Sequence, residues 1–321
     1  MQPNHTICAD SLTTLAKVPE HLFDAVITDP PYGLSTLPTS VVKRTITRWQ
    51  SGDHSYIPKR GKGFMGAGWD RFVPPPALWS QVARVTKPGG MVAAFAGART
   101  LDLMMLSMKT GGLTILGVCE WVNAQGFPKS HRVDKEIDKI LGAERTLRVD
   151  ERWRERYPNG AGGNLKAGTS AHLYEQAQRR EGLRLTSDPV TPQAKQWAGW
   201  GTSLKPAHEP IIIATNAITG KDTALPHFLY HPKALTKERP EYLQDGQLIQ
   251  HPTTKPLGLM KWLIEQLTAP QDWVLDPFAG SGTTGQACVE TGRKYTLIEN
   301  EEAYIRLIDQ RLSTSKGATT P

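Results

Sequence analysis

Asp29, Pro30, Pro31 and Tyr32 stand directly after the apolar run Ala25, Val26 and Ile27, and they form a turn whose residue types could do chemistry. Two consecutive prolines fix two φ angles and remove two backbone donors. What is left is a stiff turn that offers a carboxylate and carbonyls as acceptors only. Such a turn suits an amino group on a planar base. One N–H can go to the Asp29 carboxylate and the other to the Pro30 carbonyl, which aims the nitrogen lone pair at an electrophile. Tyr32 adds a ring face on which a base taken out of a duplex can stack.

A second constellation lies near the other end of the chain, where Asp276, Pro277, Phe278, Ala279, Gly280, Ser281, Gly282 and Thr283 follow the short apolar run Trp273 to Leu275. Gly280, Gly282 and Gly285 fit the spacing G-x-G-x-x-G. These glycines let the backbone approach a ligand closely, and Glu299, at the end of the next apolar run, is placed to hold ribose hydroxyls. No lysine follows the glycines, so the loop is not a P-loop. NAD, FAD and S-adenosylmethionine all remain compatible with it. Asp276, an extra acid ahead of the glycines, favours a cofactor carrying positive charge, as the amino group and sulfonium of S-adenosylmethionine do, and would repel a pyrophosphate.

The elements that must carry these turns alternate. Residues 7–9, 23–28, 91–95, 211–214, 273–275 and 295–298 read as strands, and residues 11–17, 77–85, 283–290 and 301–312 as helices, with a turn at 87–90. Leu257, Met260, Leu263, Ile264 and Leu267 share one helical face. This alternation predicts an α/β fold with a largely parallel sheet. The C-terminal βαβα unit is too short to be a whole nucleotide-binding domain, so it must share a sheet with the N-terminal strands. Residues 123–206 lose the rhythm and read as an insertion. The expected organisation is a catalytic half at 1–122 with a mobile basic loop at 34–70, the insertion, a cofactor-binding half at 207–312 and a disordered tail at 313–321.

Composition narrows the class. The chain has 321 residues, 39% of them hydrophobic and 21% charged, as in ordinary globular proteins, and no stretch is apolar enough for a membrane span. The first residues lack the pattern of a secretory signal, so a cytoplasmic location is expected. The net charge of +7 suits a polyanionic partner. Lys43, Arg44, Arg48, Lys59, Arg60 and Lys62 face only Asp53 within residues 41–63. Cys8, Cys119 and Cys288 are too scattered for a disulfide framework or a metal knuckle, and the histidines lack ligand spacing, so no metal is expected.

Together these motifs resemble the amino-group DNA methyltransferases. Asp29 to Tyr32 looks like their catalytic D-P-P-Y, and Asp276 to Gly282 resembles their D-P-F-x-G-S-G cofactor motif. The order, catalytic turn first, is similar to the β-type permutation. His251-Pro252-Thr253-Thr254-Lys255-Pro256 looks like the stretch before the first cofactor helix, and Lys87-Pro88-Gly89-Gly90 like the turn before a central strand. The segment from Gly199 through Pro210 resembles phage and prophage members. The likeness spans roughly residues 5–312.

The resemblance implies a seven-stranded, mostly parallel Rossmann-like sheet with one antiparallel strand, an inserted target-recognition region, S-adenosylmethionine as cofactor and double-stranded DNA as substrate. It implies that Asp10 contacts the adenine of the cofactor. Asp276, Pro277, Phe278, Ala279, Gly280, Ser281, Gly282 and Thr283 would cradle it, and Glu299 would hold the ribose. Thr254 and Lys255 would lie near the methionine, although Thr254 could equally cap the following helix. Lys43, Arg44, Arg48, Lys59 and Arg60 are expected on DNA phosphates. Arg145, Arg148, Arg152, Arg154, Arg156, Arg179, Arg180 and Arg184 make the insertion the candidate for target recognition, although a solvated helical face explains its charges as well.

Methylation of a cytosine ring carbon needs a Pro-Cys nucleophile, and none of the three cysteines follows proline. The choice left is adenine N6 or cytosine N4. Family members with Asp first in the tetrapeptide are mostly adenine enzymes, so adenine is favoured. A dinucleotide-dependent oxidoreductase leaves Asp29 to Tyr32 without work. RNA or protein amino-group methyltransferases usually begin the tetrapeptide with Asn, and a nonenzymatic DNA-binding protein would have no need to keep Asp29, Tyr32 and Glu299. Whether the chain acts as a monomer or a homodimer stays open at this stage.

Overall fold

Apolar runs long enough to be buried on both faces fix the centre of the molecule. The structure, a computed structural model, describes residues 1–61, 63, 68–123, 132–149, 185–201, 207–216, 225–244 and 247–317. Strand β1 (His5–Cys8) leads through α1 (Ser11–Leu15) to β2 (Phe23–Thr28). Helices α2 (Thr39–Gln50) and α3 (Pro76–Val85) precede β3 (Thr86–Phe95), and α4 (Leu101–Thr110) precedes β4 (Thr114–Val122). There follow α5 (Val133–Ile140), the short strands β5 (Arg148–Val149) and β6 (Leu185–Thr186), and α6 (Pro192–Gln196). The chain continues through β7 (His208–Thr215), β8 (Phe228–Tyr230) and the antiparallel pair β9 (Glu241–Gln244) and β10 (Gln247–Gln250). It ends with α7 (Leu257–Leu267), β11 (Trp273–Asp276), α8 (Thr283–Glu290), β12 (Lys294–Glu299) and α9 (Glu302–Gly317).

Among the described residues the main sheet runs β1-β12-β11-β2-β3-β7-β4-β8. It is parallel throughout except for β7, which is antiparallel to both neighbours, β3 and β4. That gives the single antiparallel strand expected, in a sheet of eight strands rather than seven. The eighth is β8, three residues at the β4 edge.

Alternation along each strand divides the core. Val26, Val92, Ala94, Ile212, Leu275 and Ile298 enter one apolar cluster, with residues of α1, α3 and α4. Ile27, Ala93, Phe95, Ile211, Ile213, Val274 and Leu297 enter the other, with residues of α7, α8 and α9. A period of two with both faces apolar is what a parallel sheet covered by helices on each side requires.

Three local expectations are corrected. Residues 34–70 are not all loop, because α2 buries Val41, Thr45 and Trp49 at intervals of four and leaves Lys43, Arg44 and Arg48 on its exposed side. The Lys87 to Gly90 turn is absorbed into β3 as an irregularity in the β2 register, with Gly89 at φ 75°. The last helix continues to Gly317, five residues beyond its expected end, and residues 318–321 lie outside the described set.

The chain divides into two compact units, residues 1–125 with 207–321, and residues 126–206. In the second, Asp134 and Asp138 lie one helical turn apart and almost fully buried on α5. Arg132 and Arg145 pair with Asp134, and Arg145 reaches Asp138 at 2.6 Å. Burial alone would raise the Asp138 pKa, but donors from Thr191, Val190 and Arg145 outweigh it and hold the carboxyl well below its usual range. Arg148 meets Asp188 across the β5–β6 pair at 2.7 Å. Two of the arginines that made the insertion a candidate for target recognition, Arg145 and Arg148, are thus engaged in internal ion pairs. Arg152, Arg154, Arg156, Arg179, Arg180 and Arg184 lie outside the described residues.

Candidate active site

The catalytic turn and the glycine loop come together because β2 and β11 are parallel neighbours, so both turns leave the same edge of the sheet. Thr28, the last residue of β2, donates to Asp276 Oδ1 at 2.7 Å and ties the two strand ends directly. Thr284 donates to Asp276 Oδ2 at 2.5 Å, and the Phe278 amide reaches Oδ1 at 3.1 Å. Burial pushes the Asp276 carboxyl up to about 6 against these donors. The side chain expected to face the cofactor is therefore buried, and it braces the loop from beneath.

The loop's conformation explains its glycines. Gly280 has φ 53° and Gly282, the N-cap of α8, has φ 77°, in the left-handed region that costs other residues about 1–2 kcal/mol. A Cβ on Gly285 would meet the Leu297 side chain at 2.7 Å, so this glycine lets α8 sit close to β12. Ser281 and Thr283 are buried, and Phe278 packs at the border of the first apolar cluster. Arg311 of α9 donates to the Ser281 carbonyl at 2.7 Å and the Glu238 carbonyl at 2.6 Å, a brace that no sequence motif announces.

Asp10 and Glu299 close the same edge from β1 and β12. The Ala9 amide bonds the Glu299 carbonyl at 3.0 Å, and the Ser11 hydroxyl donates to the Pro277 carbonyl. Asp10 caps α1 through the Thr13 amide at 2.8 Å and is exposed. Glu299 Oε2 accepts from the Gly280 amide at 2.7 Å, and Oε1 from the Glu301 amide at 3.0 Å. Burial raises the Glu299 pKa against these amides. Each carboxylate oxygen keeps a second lone pair for a hydroxyl.

His251 stands beside Gly280, where an added Cβ would lie 2.9 Å from its Nε2. Its Nδ1 is buried without a partner, and burial with Lys255 and Arg311 nearby lowers its pKa to about 3. Thr254 is not a cap, since Pro256 holds the N-cap of α7; its hydroxyl lies 3.2 Å from Ser281 Oγ. The glycine turn, the acidic strand ends at Asp10 and Glu299 and the unpartnered His251 nitrogen form a polar cradle. It fits a cofactor with adenosine and amino-acid ends.

On the catalytic side, Gly33 (φ 67°) and Leu34 donate their amides to the buried Asp70 at 2.8 and 3.2 Å, while Thr100 donates to the Tyr32 carbonyl at 2.5 Å. Lys255, expected near the methionine end of the cofactor, places Nζ 2.5 Å from Asp29 Oδ2 and 3.5 Å from Glu209 Oε2. The Tyr32 hydroxyl donates to Glu209 Oε2 at 2.9 Å. Asp29 Oδ1 is buried without a hydrogen-bond partner. Burial raises the Asp29 pKa and Lys255 opposes the rise. Burial would lower the Lys255 pKa, but Asp29 and Glu209 raise it further.

Glu209 carries no motif that singles it out in the sequence. It arrives here because β7 is antiparallel, so its first residues lie at the edge where the parallel strands end. Arg44, Arg48, Lys59 and Arg60 converge around a cavity of about 380 Å³ lined also by Val41, Tyr56 and Pro58. Arg48 lies 4.3 Å over the Tyr56 ring and 3.1 Å from Asp53. Lys43 is on the exposed side of α2 without lining the cavity, and Lys62 lies outside the described residues.

Comparison with known proteins identifies the family. The chain is 25% identical to the type II methyltransferase M.HindIII of Haemophilus influenzae, over 96% of this chain and 95% of the relative. A segment of 77 residues, 24% of this chain and 26% of the relative, is 44% identical to the DNA adenine methyltransferase YhdJ of Escherichia coli K12. The structure of PvuII DNA methyltransferase, described as cytosine-N4-specific, superposes with a TM-score of 0.54 at 16% identity, over 97% of this chain and 86% of that one, and shows the shared fold. Residues 23–310 match the N6_N4_Mtase family of DNA methylases. The chain belongs to that family and is an S-adenosylmethionine-dependent DNA methyltransferase.

Proposed function

We propose that the chain methylates the N6 amino group of adenine in double-stranded DNA, acting on a base turned out of the helix. The observation that carries this reading is Asp29 Oδ1, a buried carboxylate oxygen without a partner, in a turn of two prolines at the same sheet edge as the glycine loop. A buried acceptor left unsatisfied costs about 1–3 kcal/mol, which an incoming N–H would recover. When bound, S-adenosylmethionine supplies an electrophilic methyl carbon on its sulfonium. Asp29 Oδ1 accepts one amino hydrogen and the Pro30 carbonyl the other, Pro31 keeps the turn rigid, and Tyr32 gives the base a surface. The Asp29 carboxylate offsets positive charge developing on the nitrogen, and Oδ1 takes the proton released. Asp10, Thr254, Glu299 and the loop from Asp276 to Thr283 hold the cofactor.

Adenine is favoured over cytosine by the Asp-first tetrapeptide and by the likeness to an enzyme named as a DNA adenine methyltransferase. We assign target recognition to residues 123–206 and phosphate contacts to Lys43, Arg44, Arg48, Lys59 and Arg60. The direct test incubates the wild type and Asp29→Ala with S-adenosylmethionine and unmethylated DNA, then separates nucleosides by mass. N6-methyladenosine from the wild type alone is the expected result. N4-methylcytosine would reverse the choice of base, and neither product would refute the reading. Replacing Lys59 and Arg60 should flatten the salt dependence of DNA binding by roughly one unit of slope per lost contact, and an unchanged slope would remove them from the interface.

A further inference from the structure

The Asp-Pro-Pro-Tyr turn is held at both ends by one carboxylate from a different part of the chain. Glu209 Oε2 accepts from the Tyr32 hydroxyl at 2.9 Å and lies 3.5 Å from Lys255 Nζ, which is itself 2.5 Å from Asp29 Oδ2. Glu209 Oε1 also has Lys233 at 3.8 Å. Lys255 is 7% exposed, Asp29 19% and Glu209 23%, so these charges act through a medium drier than water.

We propose that Glu209 and Lys255 are positioning residues for methyl transfer: together they lock Asp29 and Tyr32 in one arrangement and anchor Asp29 through Oδ2, so that Oδ1, the oxygen left without any donor, faces the base amino group. The inference rests on the assignment of Asp29 as the amino-group acceptor. An unanchored carboxylate could present either oxygen and rotate about its last bond. With Oδ2 committed to Lys255, the free lone pairs of Oδ1 define one approach for the N–H. Glu209 has a second effect. Asp29 with Lys255 alone is a neutral pair, and Glu209, whose charge is shared with Lys233, adds a second carboxylate 3.5 Å from Lys255 Nζ, which favours a nitrogen acquiring positive charge.

The two residues act on Asp29 with opposite signs. The charged and titratable groups facing Asp29 are Lys255 ahead of α7, Glu209 on β7, Tyr32 in the same turn and Asp276 at the end of β11. The Lys255 charge lowers the Asp29 pKa and the Glu209 charge raises it. Activity requires ionised Asp29, so it falls as pH drops through the Asp29 pKa.

Methylation of a DNA substrate should be followed across pH for the wild type, Lys255→Met, Lys255→Arg and Glu209→Gln, with S-adenosylmethionine affinity measured by calorimetry on the same preparations. Lys255→Met should lower kcat on the order of 10²-fold, as misplaced catalytic groups do. Its acid limb should move up by about one pH unit. Lys255→Arg should bring the limb back toward the wild-type position. Glu209→Gln should move the limb down, and cofactor affinity should stay within about two-fold in every variant. Glu209→Gln is nearly isosteric and keeps the test readable if Lys255→Met fails to fold. Limbs that do not move, limbs that move the same way in both charge-removing variants, or a fall in cofactor affinity that matches the fall in rate would overturn the inference. A wild type that methylates no amino group would instead overturn the assignment of function on which it rests.

Discussion

The glycine loop and the catalytic turn leave neighbouring strands, β11 and β2, yet they treat their carboxylates in opposite ways. Asp276 takes three donors from within the protein, and Glu299 takes two backbone amides. Asp29 has one oxygen held by Lys255 and the other left buried without a partner. Around the glycine loop, every carboxylate oxygen of Asp276 and Glu299 meets at least one donor from within the protein. The turn proposed to receive an N–H donor keeps one acceptor without a partner. On the proposed reading, the contrast separates residues that build the cradle from the one that would meet the reacting atom, although all three are acids at strand ends.

That contrast breaks most sharply at Asp29. Asp29→Asn keeps the shape but loses the charge, and methylation should fall on the order of 10³-fold while cofactor affinity changes little; a parallel loss of affinity would show that the two turns share one role. Gly282→Ala forces a side chain into φ 77° and brings a Cβ to 3.1 Å from Ile308. Stability should drop by about 1–2 kcal/mol in thermal melts, with cofactor affinity weakened about ten-fold. Full retention of both would mean that the loop does not need its left-handed cap.

A further expected effect is a pH dependence. The Asp276 carboxyl is raised to about 6 by burial, from an ordinary value near 3.8. The folded state therefore binds this proton more tightly than the unfolded chain, and the associated stability is lost as pH rises from about 4 through about 6. Asn at 276 can still accept from Thr28 and Phe278, and it removes the titration. The stability difference between Asp276→Asn and the wild type should move in favour of the variant across that window in denaturant titrations at fixed pH. A constant difference would place the carboxylate in a more solvated setting.

What could be read in advance follows from which signals are local. Strand β2 and helix α8 have the bounds expected from their apolar runs and turn residues, because runs such as Phe23 to Thr28 need only their own sequence to announce them. Helix α2 was hidden because one of its buried positions is Thr45, and the rest of its surface is the basic face that reads as a loop. The glycine loop and the proline turn were legible as motifs, and their meeting followed from strand order. The Lys255 pair with Asp29, 226 positions apart, was not, and neither was the part played by Glu209. A long-range ion pair leaves no periodicity.

The reversal of β7 has a consequence for the chain as a whole. Val122 at the end of β4 and His208 at the start of β7 are register partners, and the Asn123 amide bonds the Ala207 carbonyl at 2.7 Å. To the sheet, β4 and β7 are the two arms of a hairpin, and residues 126–206 are its tip enlarged into a separate compact unit. The entropy of closing such a connection grows only slowly with its length. The hairpin therefore works as a socket: its two arms stay side by side in the sheet, and the length of chain carried between them can change at little entropic cost.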